Sequence, residues 1–220
     1  MNIKIFTAIV FFSFLYACAP TRIVKPLAKG EQMMSFNFGG PLVYLGSTPM
    51  PLPLTSIAYA KGITERTTFF GSVHTTALLF GVFQTDIGIC QQLYKNEEKD
   101  FGISINPVLN FAVDRWQWNT KIWPEIDLNI YKGLGKKYFI YGGIANWFEL
   151  SKIRPHKETQ STFIFVNPHL GIVYTRDKWS YNVEFKYVMS DIKNTPNAPD
   201  YMGINNKGAV GVYLNLIRKF

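Results

Sequence analysis

Apolar and polar residues alternate with a period of two along ten separate stretches of this chain. The last stretch, Gly208 to Phe220, is the clearest, with Val210, Val212 and Leu214 on one face. Strict alternation over this length indicates a β-strand and not a helix. The ten predicted strands are 33–38, 54–60, 67–76, 82–94, 101–111, 121–132, 138–148, 161–174, 180–188 and 208–220.

The connections between these strands alternate between long and short. Four of them are tight polar turns, KGITER, KNEEKD, GLGK and TRDK, and most of the others are longer. Most strands match the roughly 9–11 residues that a tilted strand needs to cross the hydrocarbon core of a membrane. The pattern predicts an all-β fold, a single antiparallel up-and-down transmembrane β-barrel of about ten strands, in which closure leaves no unpaired edge in lipid.

Several details of this assignment are expected to deviate from regular strands. The segment Ala77–Gly81 is apolar and its boundary is ambiguous, and Gly39–Pro41 is expected to end the first strand. Pro107, Pro124 and Pro168 lie inside predicted strands. Each removes one donor from the ladder, so bulges or errors in the predicted strand boundaries are expected there.

The first 17 residues differ from the rest of the chain. A basic start at Lys4 and an apolar run too short to span a bilayer predict a secretory signal over residues 1–17. The signal ends in Leu15-Tyr16-Ala17-Cys18, which resembles the lipobox of bacterial lipoproteins. The resemblance implies cleavage before Cys18 and covalent attachment of diacylglycerol and a fatty acyl group to it, with no other cofactor expected. Residues 18–29 are then a lipidated tether outside the barrel, and residues 30–220 form the barrel domain.

Composition supports a membrane location. Charged residues make up 17% of the chain and aromatic residues 16%, whereas a soluble domain carries about 25% charge. The formal charge of +8 fits anionic lipid headgroups, and the secretory signal argues against nucleic acid as a partner. With Cys18 acylated, Cys90 has no intramolecular disulfide partner and is expected to pack as a small apolar side chain.

The aromatic end of the chain carries a second resemblance. A last strand that terminates in Phe220 is similar to the closing strand of bacterial outer-membrane β-barrels, with a pattern typical of the small barrels of Bacteroidota. The resemblance implies location in the outer membrane with both termini periplasmic, and the barrel-assembly and lipoprotein-sorting machineries as partners. The alternative is a lipid-tethered soluble barrel, lipocalin-like, with its apolar face inward.

The polar faces of the strands would meet in the lumen. We expect a polar network there, with Lys186 as the central counter-ion; its members are Asp86, Glu125, Asp127, His169, Glu184 and Lys186. Buried charges must be paired, so the pattern favours a filled lumen and a structural or interaction role. A narrow small-solute channel is the alternative.

One set of residues could carry enzyme chemistry. Ser72 and His74 share a face, and Asp86 is expected opposite them on the next strand. A hydroxyl, an imidazole and a carboxylate are the parts of a nucleophilic site, so an outer-membrane lipid hydrolase is a second hypothesis. No metal site is predicted, because the three histidines, His74, His156 and His169, lie on different elements.

Overall fold

The computed structural model describes residues 22–152, 159–194 and 200–220. Within them lie eleven strands and one short helix, α1 (Thr75–Leu79). The strands are β1 (Gln32–Leu45), β2 (Thr48–Pro51), β3 (Thr55–Thr64), β4 (Thr67–Val73), β5 (Val82–Asn96), β6 (Phe101–Asp114), β7 (Thr120–Leu134), β8 (Tyr138–Phe148), β9 (Ile164–Arg176), β10 (Trp179–Lys193) and β11 (Lys207–Lys219). Among the described residues, no helix is both long and apolar enough to cross a membrane.

The strands form a closed antiparallel barrel. Each of β1 and β3–β11 pairs with the next along the chain, and β11 pairs back with β1 in a register that includes Met33↔Lys219 and Asn37↔Asn215. β2 is a short extra strand that forms a hairpin with the far half of β1. The predicted up-and-down barrel of ten strands is confirmed.

The faces of the barrel are those of a membrane protein. On β7, Ile126, Leu128 and Ile130 point outward and are exposed, whereas Asp127 and Asn129 point inward and are buried. The other barrel strands repeat this arrangement, and the exterior is an apolar band around a polar interior. Because lipid replaces water around such a band, the barrel is of the outer-membrane type. The lipocalin-like alternative is wrong because the apolar face lies outside.

The two ends of the barrel differ in their connections. Both chain ends of the barrel domain lie at the end that also carries the tight turns after β3, β5, β7 and β9; we call it the terminal end. The opposite end, the loop end, carries β2, helix α1 and the longer connections after β6, β8 and β10. The chain therefore has the predicted asymmetry of short turns and longer loops.

Two segments differ from the prediction. Gly39–Pro41 does not end the first strand, since β1 continues to Leu45. Gly39 adopts a positive φ of 131°, and a side chain at this position would collide with the backbone of Val212 and Tyr213. The ambiguous segment Ala77–Gly81 is largely helical, since α1 turns the chain between β4 and β5.

Pro107, Pro124 and Pro168 lie inside strands, and no β-bulge occurs at the ladder pairs that they form. Pro124 lies one residue beyond the last β7–β8 pair, and Pro168 one residue beyond the last β9–β10 pair. Pro107 lies in a gap of the β5–β6 ladder between the pairs Gly88↔Val108 and Gln91↔Ile105. Each proline thus occupies a position where one neighbour makes no ladder pair, and the expected bulges do not occur there.

Candidate functional site in the barrel lumen

Residues 22–27, the lumen segment, lie inside the barrel, with Leu27 nearest the terminal end and Arg22 deepest. The backbone N–H of Leu27 donates to Thr68 Oγ1 at 2.7 Å, and Ser104 Oγ donates to the carbonyl oxygen of Val24 at 2.6 Å. Deeper in the barrel, Asn106 Nδ2 donates to the carbonyl oxygen of Ile23 at 2.8 Å. This stretch was predicted to be part of a tether outside the barrel. The prediction is wrong for residues 22–27, because lumen side chains bind their backbone groups.

Apolar contacts hold the same segment. Leu27 packs in a buried cluster with Met33, Phe70, Cys90 and Val108. Val24 packs in a second buried cluster, with Tyr131, Tyr141 and Val173. Cys90 is a buried free thiol within the first cluster. The segment therefore fills part of the lumen, and its apolar side chains pack there as they would in the core of a soluble domain.

Arg22 is the deepest described residue of the segment and the centre of an ion cluster. Its Nη1 lies 3.0 Å from Asp86 Oδ1, and its Nη2 lies 2.8 Å from Glu125 Oε2. Nη2 also donates to Asn110 Oδ1 at 3.2 Å. Arg22 is only 8% exposed, and both carboxylates are buried. One guanidinium thus pairs with two carboxylates, from β5 and β7.

Sequence reasoning missed this residue and expected Lys186 to pair both with Glu184 and with the acids of the strand 121–132, which is β7 here. Lys186 Nζ lies 3.1 Å from Glu184 Oε1 on its own strand, while Arg22 holds Asp86 and Glu125. The available signal was a basic residue just before the barrel whose charge the acidic lumen would attract. The tether shows no regular alternation of apolar and polar residues, so the sequence pattern could not place Arg22 inside the barrel.

The remaining predicted network residues are buried on the lumen face. His169 Nε2 lies 2.8 Å from Asn129 Oδ1 and 3.7 Å from Asp127 Oδ1. Glu184 accepts a hydrogen bond from the Tyr141 hydroxyl at 2.7 Å. These contacts link β7, β8, β9 and β10 across the lumen.

Ser72, His74 and Asp86 are brought together, but in an order that does not suit nucleophilic catalysis. Ser72 Oγ donates to Asp86 Oδ2 at 2.5 Å, and His74 Nε2 lies 3.0 Å from the same oxygen. A nucleophile needs its hydroxyl proton directed at the imidazole, with the carboxylate behind it. Here the carboxylate lies between the two side chains and also pairs with Arg22, so the trio belongs to the ion cluster.

No metal site is present in the described part of the chain, where no group of three or more His, Cys, Asp or Glu side chains could hold an ion. Cys18, the predicted lipidation site, lies outside the described residues. Phe220 lies at the terminal end, where its N–H donates to the carbonyl oxygen of Gln32 at 3.0 Å. Its ring is exposed and lies under the guanidinium of Arg218.

A cavity of about 300 Å³ lies between the lumen segment and the barrel wall, which here includes β1, β10 and β11 together with residues of β3, β4, β5, β8 and β9. Lys25, Glu31 and Lys219 line it at the terminal end, and Arg22 and Asp86 line its inner part. Between them the wall carries Asn37, Asn182 and Asn215, three buried amides on adjacent strands. Among the described residues, this cavity is a space in the lumen that the ion cluster does not fill.

Comparisons with known proteins show similarity in architecture. No protein-family model and no curated protein matches the sequence. Solved structures similar to this chain include the translocator domain of the autotransporter NalP from Neisseria meningitidis, with 8% identity, coverage of 88% of this chain and 90% of that one, and a TM-score of 0.45. The NanC porin has 8% identity, coverage of 87% and 100%, and a TM-score of 0.49.

The outer membrane protein OprG from Pseudomonas aeruginosa has 12% identity, coverage of 90% of this chain and 99% of that one, and a TM-score of 0.33. Likenesses at this level carry no information on activity. The assignment as a transmembrane barrel therefore rests on the closed strand pairing and the apolar exterior.

Proposed function

We propose that this protein is an outer-membrane lipoprotein whose barrel is closed by its own amino-terminal segment and serves a structural or interaction role. The observation that carries the proposal is the pairing of Arg22 with Asp86 and Glu125 inside the lumen. A guanidinium held by two carboxylates in a buried site resists displacement, because removing it takes its positive charge away from both acids. A barrel built for free diffusion would keep its centre hydrated and open.

Conductance measurements test the closed state. The mature protein, reconstituted into planar bilayers, should show no steady ion conductance, whereas a general porin in the same bilayer should conduct. Arg22→Glu, which places a third acid beside Asp86 and Glu125, should release the segment and produce openings. Lys25→Glu is the matched control, because the ion pair of Lys25 in the described part of the chain is with the partly exposed Asp100. Steady conductance of the unmodified protein would contradict the proposal in favour of the small-solute channel.

The lipid anchor at Cys18 is the second part of the proposal. It is supported by the lipobox-like sequence at Leu15–Cys18, and two acyl chains suffice for stable anchoring. Mass spectrometry of the amino-terminal peptide should find the diacylglyceryl and fatty acyl groups on Cys18. Cys18→Ala should lose them but stay in the membrane fraction with heat-modifiable gel mobility, because the barrel itself is inserted. An unmodified Cys18 would refute the anchor alone.

The third part is orientation, with the terminal end in the periplasm. It is supported by the short turns at that end and by its many basic side chains, which suit anionic phospholipid headgroups; examples are Lys61, Arg66, Lys132, Lys136, Lys137, Arg176 and Lys178. Labelling whole cells with a membrane-impermeant maleimide should modify Gln117→Cys at the loop end and spare Lys136→Cys at the terminal end. The reverse pattern would overturn the orientation.

Recognition by the assembly machinery is proposed for the last strand. Phe220→Ser should lower the fraction of folded barrel in cells without changing the unfolding of barrel that has been refolded in vitro. An equal loss in both assays would mean that Phe220 acts only through stability.

A further inference from the structure

Three of the amides in the lumen form a continuous row across the barrel seam. Asn37 on β1 is paired in register with Asn215 on β11, and Asn215 is paired with Asn182 on β10. Ser56 on β3 extends the row, being in register with Asn37. Side chains in register on neighbouring strands lie about 4.5–5.5 Å apart at Cβ. We call Ser56, Asn37, Asn215 and Asn182 the amide row.

The amide row, of which Asn37, Asn182 and Asn215 line the cavity, has unused hydrogen-bonding capacity. Asn37 Nδ2 donates to Ser56 Oγ at 3.1 Å, and Asn182 Nδ2 donates to the Tyr141 hydroxyl at 2.9 Å. In the described structure, however, neither Asn37 Oδ1 nor Asn215 Oδ1 has a donor, although both side chains are more than nine-tenths buried. A buried polar atom without a partner is costly, so these two atoms point to a ligand.

The charges around the cavity indicate that the ligand is neutral. Every charged side chain that lines it is already in an ion pair: Arg22 with Asp86, Lys25 with Asp100, and Lys219 with Glu31. A charged ligand would have to break one of these pairs. The amide row itself carries no charge, which leaves hydrogen bonds as its means of recognition.

The cavity also has an apolar part of its lining. Apolar side chains face the cavity beside the amides, among them Phe70, Phe139, Val173 and Ile217. A sugar ring presents hydroxyls on its edge and C–H groups on its faces, so it can satisfy both surfaces at once. A hydroxyl both donates and accepts, and it therefore pairs with an amide in either orientation of its oxygen and nitrogen.

From these observations we infer that the amide row and the cavity beside it bind a small neutral polyhydroxylated molecule of monosaccharide size, which enters from the terminal end. The volume of about 300 Å³ lies at the lower limit of the roughly 300–1,000 Å³ of ligand pockets, so one ring fits and a longer chain does not. Access at the terminal end follows from the partly exposed Lys25, Glu31 and Lys219.

Saturation-transfer NMR on the detergent-solubilised mature protein tests the inference. D-glucose, D-galactose and D-mannose are the probes, and choline, a cation of similar size, is the control ligand. At least one hexose should receive saturation transfer and be displaced by itself at millimolar concentration, whereas choline should receive none. If no hexose binds, the cavity holds only water and the inference is overturned.

Two near-isosteric variants locate the binding. Asn215→Leu and Asn37→Leu should each weaken hexose binding about tenfold, the loss of one to two neutral hydrogen bonds. Gln84→Met is the matched control, since it removes a buried lumen amide that does not line the cavity, and it should change binding less than twofold. Heat-modifiable gel mobility verifies that each variant is folded. Hexose binding by folded Asn215→Leu that equals binding by the unmodified protein would also refute the site. Absence of hexose binding, or unchanged binding by this variant, would leave the conductance test of the closed barrel unaffected.

Discussion

Replacing Arg22 with Met tests whether the lumen segment stabilises the barrel. The change keeps most of the length and apolar stem of the side chain but removes the guanidinium. Asp86 would still accept hydrogen bonds from Ser72 and His74, at 2.5 and 3.0 Å. Among the described residues, the remaining hydrogen-bond donor to Glu125 would be Asn110 Nδ2, at 3.2 Å. The variant therefore leaves one carboxylate partly compensated and the other nearly unpaired.

The size of the effect follows from this difference. Removing one partner of a buried ion pair costs about 3–5 kcal/mol, because an uncompensated charge remains. We expect Arg22→Met to lower the free energy of unfolding by at least about 3 kcal/mol, most of it arising at Glu125. Adding Glu125→Gln to Arg22→Met should recover more than half of the lost free energy of unfolding, since the double variant no longer buries the nearly unpaired Glu125 carboxylate.

Guanidinium titration of the refolded barrel, followed by tryptophan fluorescence and gel mobility, measures the free energy. Lys25→Met is the control within the same segment. Its salt bridge with Asp100 joins side chains that are 37% and 44% exposed, and an exposed pair is worth at most about 1 kcal/mol. Equal losses for Arg22→Met and Lys25→Met, or no recovery in the double variant, would refute the ion cluster as a stabilising element.

Three further changes probe other features. Leu128→Lys on the lipid-facing side of β7 should lower the free energy of unfolding in vesicles by about 2–4 kcal/mol. The control Leu79→Lys in α1, where Leu79 is 83% exposed at the loop end, should change this free energy by less than about 0.5 kcal/mol. Equal losses would contradict a barrel with its apolar face outward. Gly102→Ala should destabilise the refolded barrel by about 1–3 kcal/mol in the same titration, because its Cβ would meet the Tyr131 ring; an unchanged midpoint would show that the ring can move aside. His74→Ala should leave lipid release from membranes unchanged, because the neighbouring serine proton already goes to the carboxylate; lost release with folding intact would restore the hydrolase hypothesis.

The alternation of side chains along the sequence determined most of the barrel. It predicted the number of strands, the turns at one end and the burial of Asp86, Glu125 and Glu184, because a period of two assigns each residue to one face. It could not by itself choose which face lies inside. The apolar exterior settled that choice, and with it the membrane-spanning character of the chain.

Tertiary structure alone decided what fills the lumen. The segment around Arg22 has no periodicity, and its position follows from long-range attraction to acids that are far away in sequence. The order of Ser72, Asp86 and His74 likewise depends on side-chain directions that a shared face does not specify. The row of Asn37, Asn215 and Asn182 comes from strands at opposite ends of the chain. Sequence patterns assign each residue to a face within one strand, whereas closure of the barrel determines which residues of different strands meet.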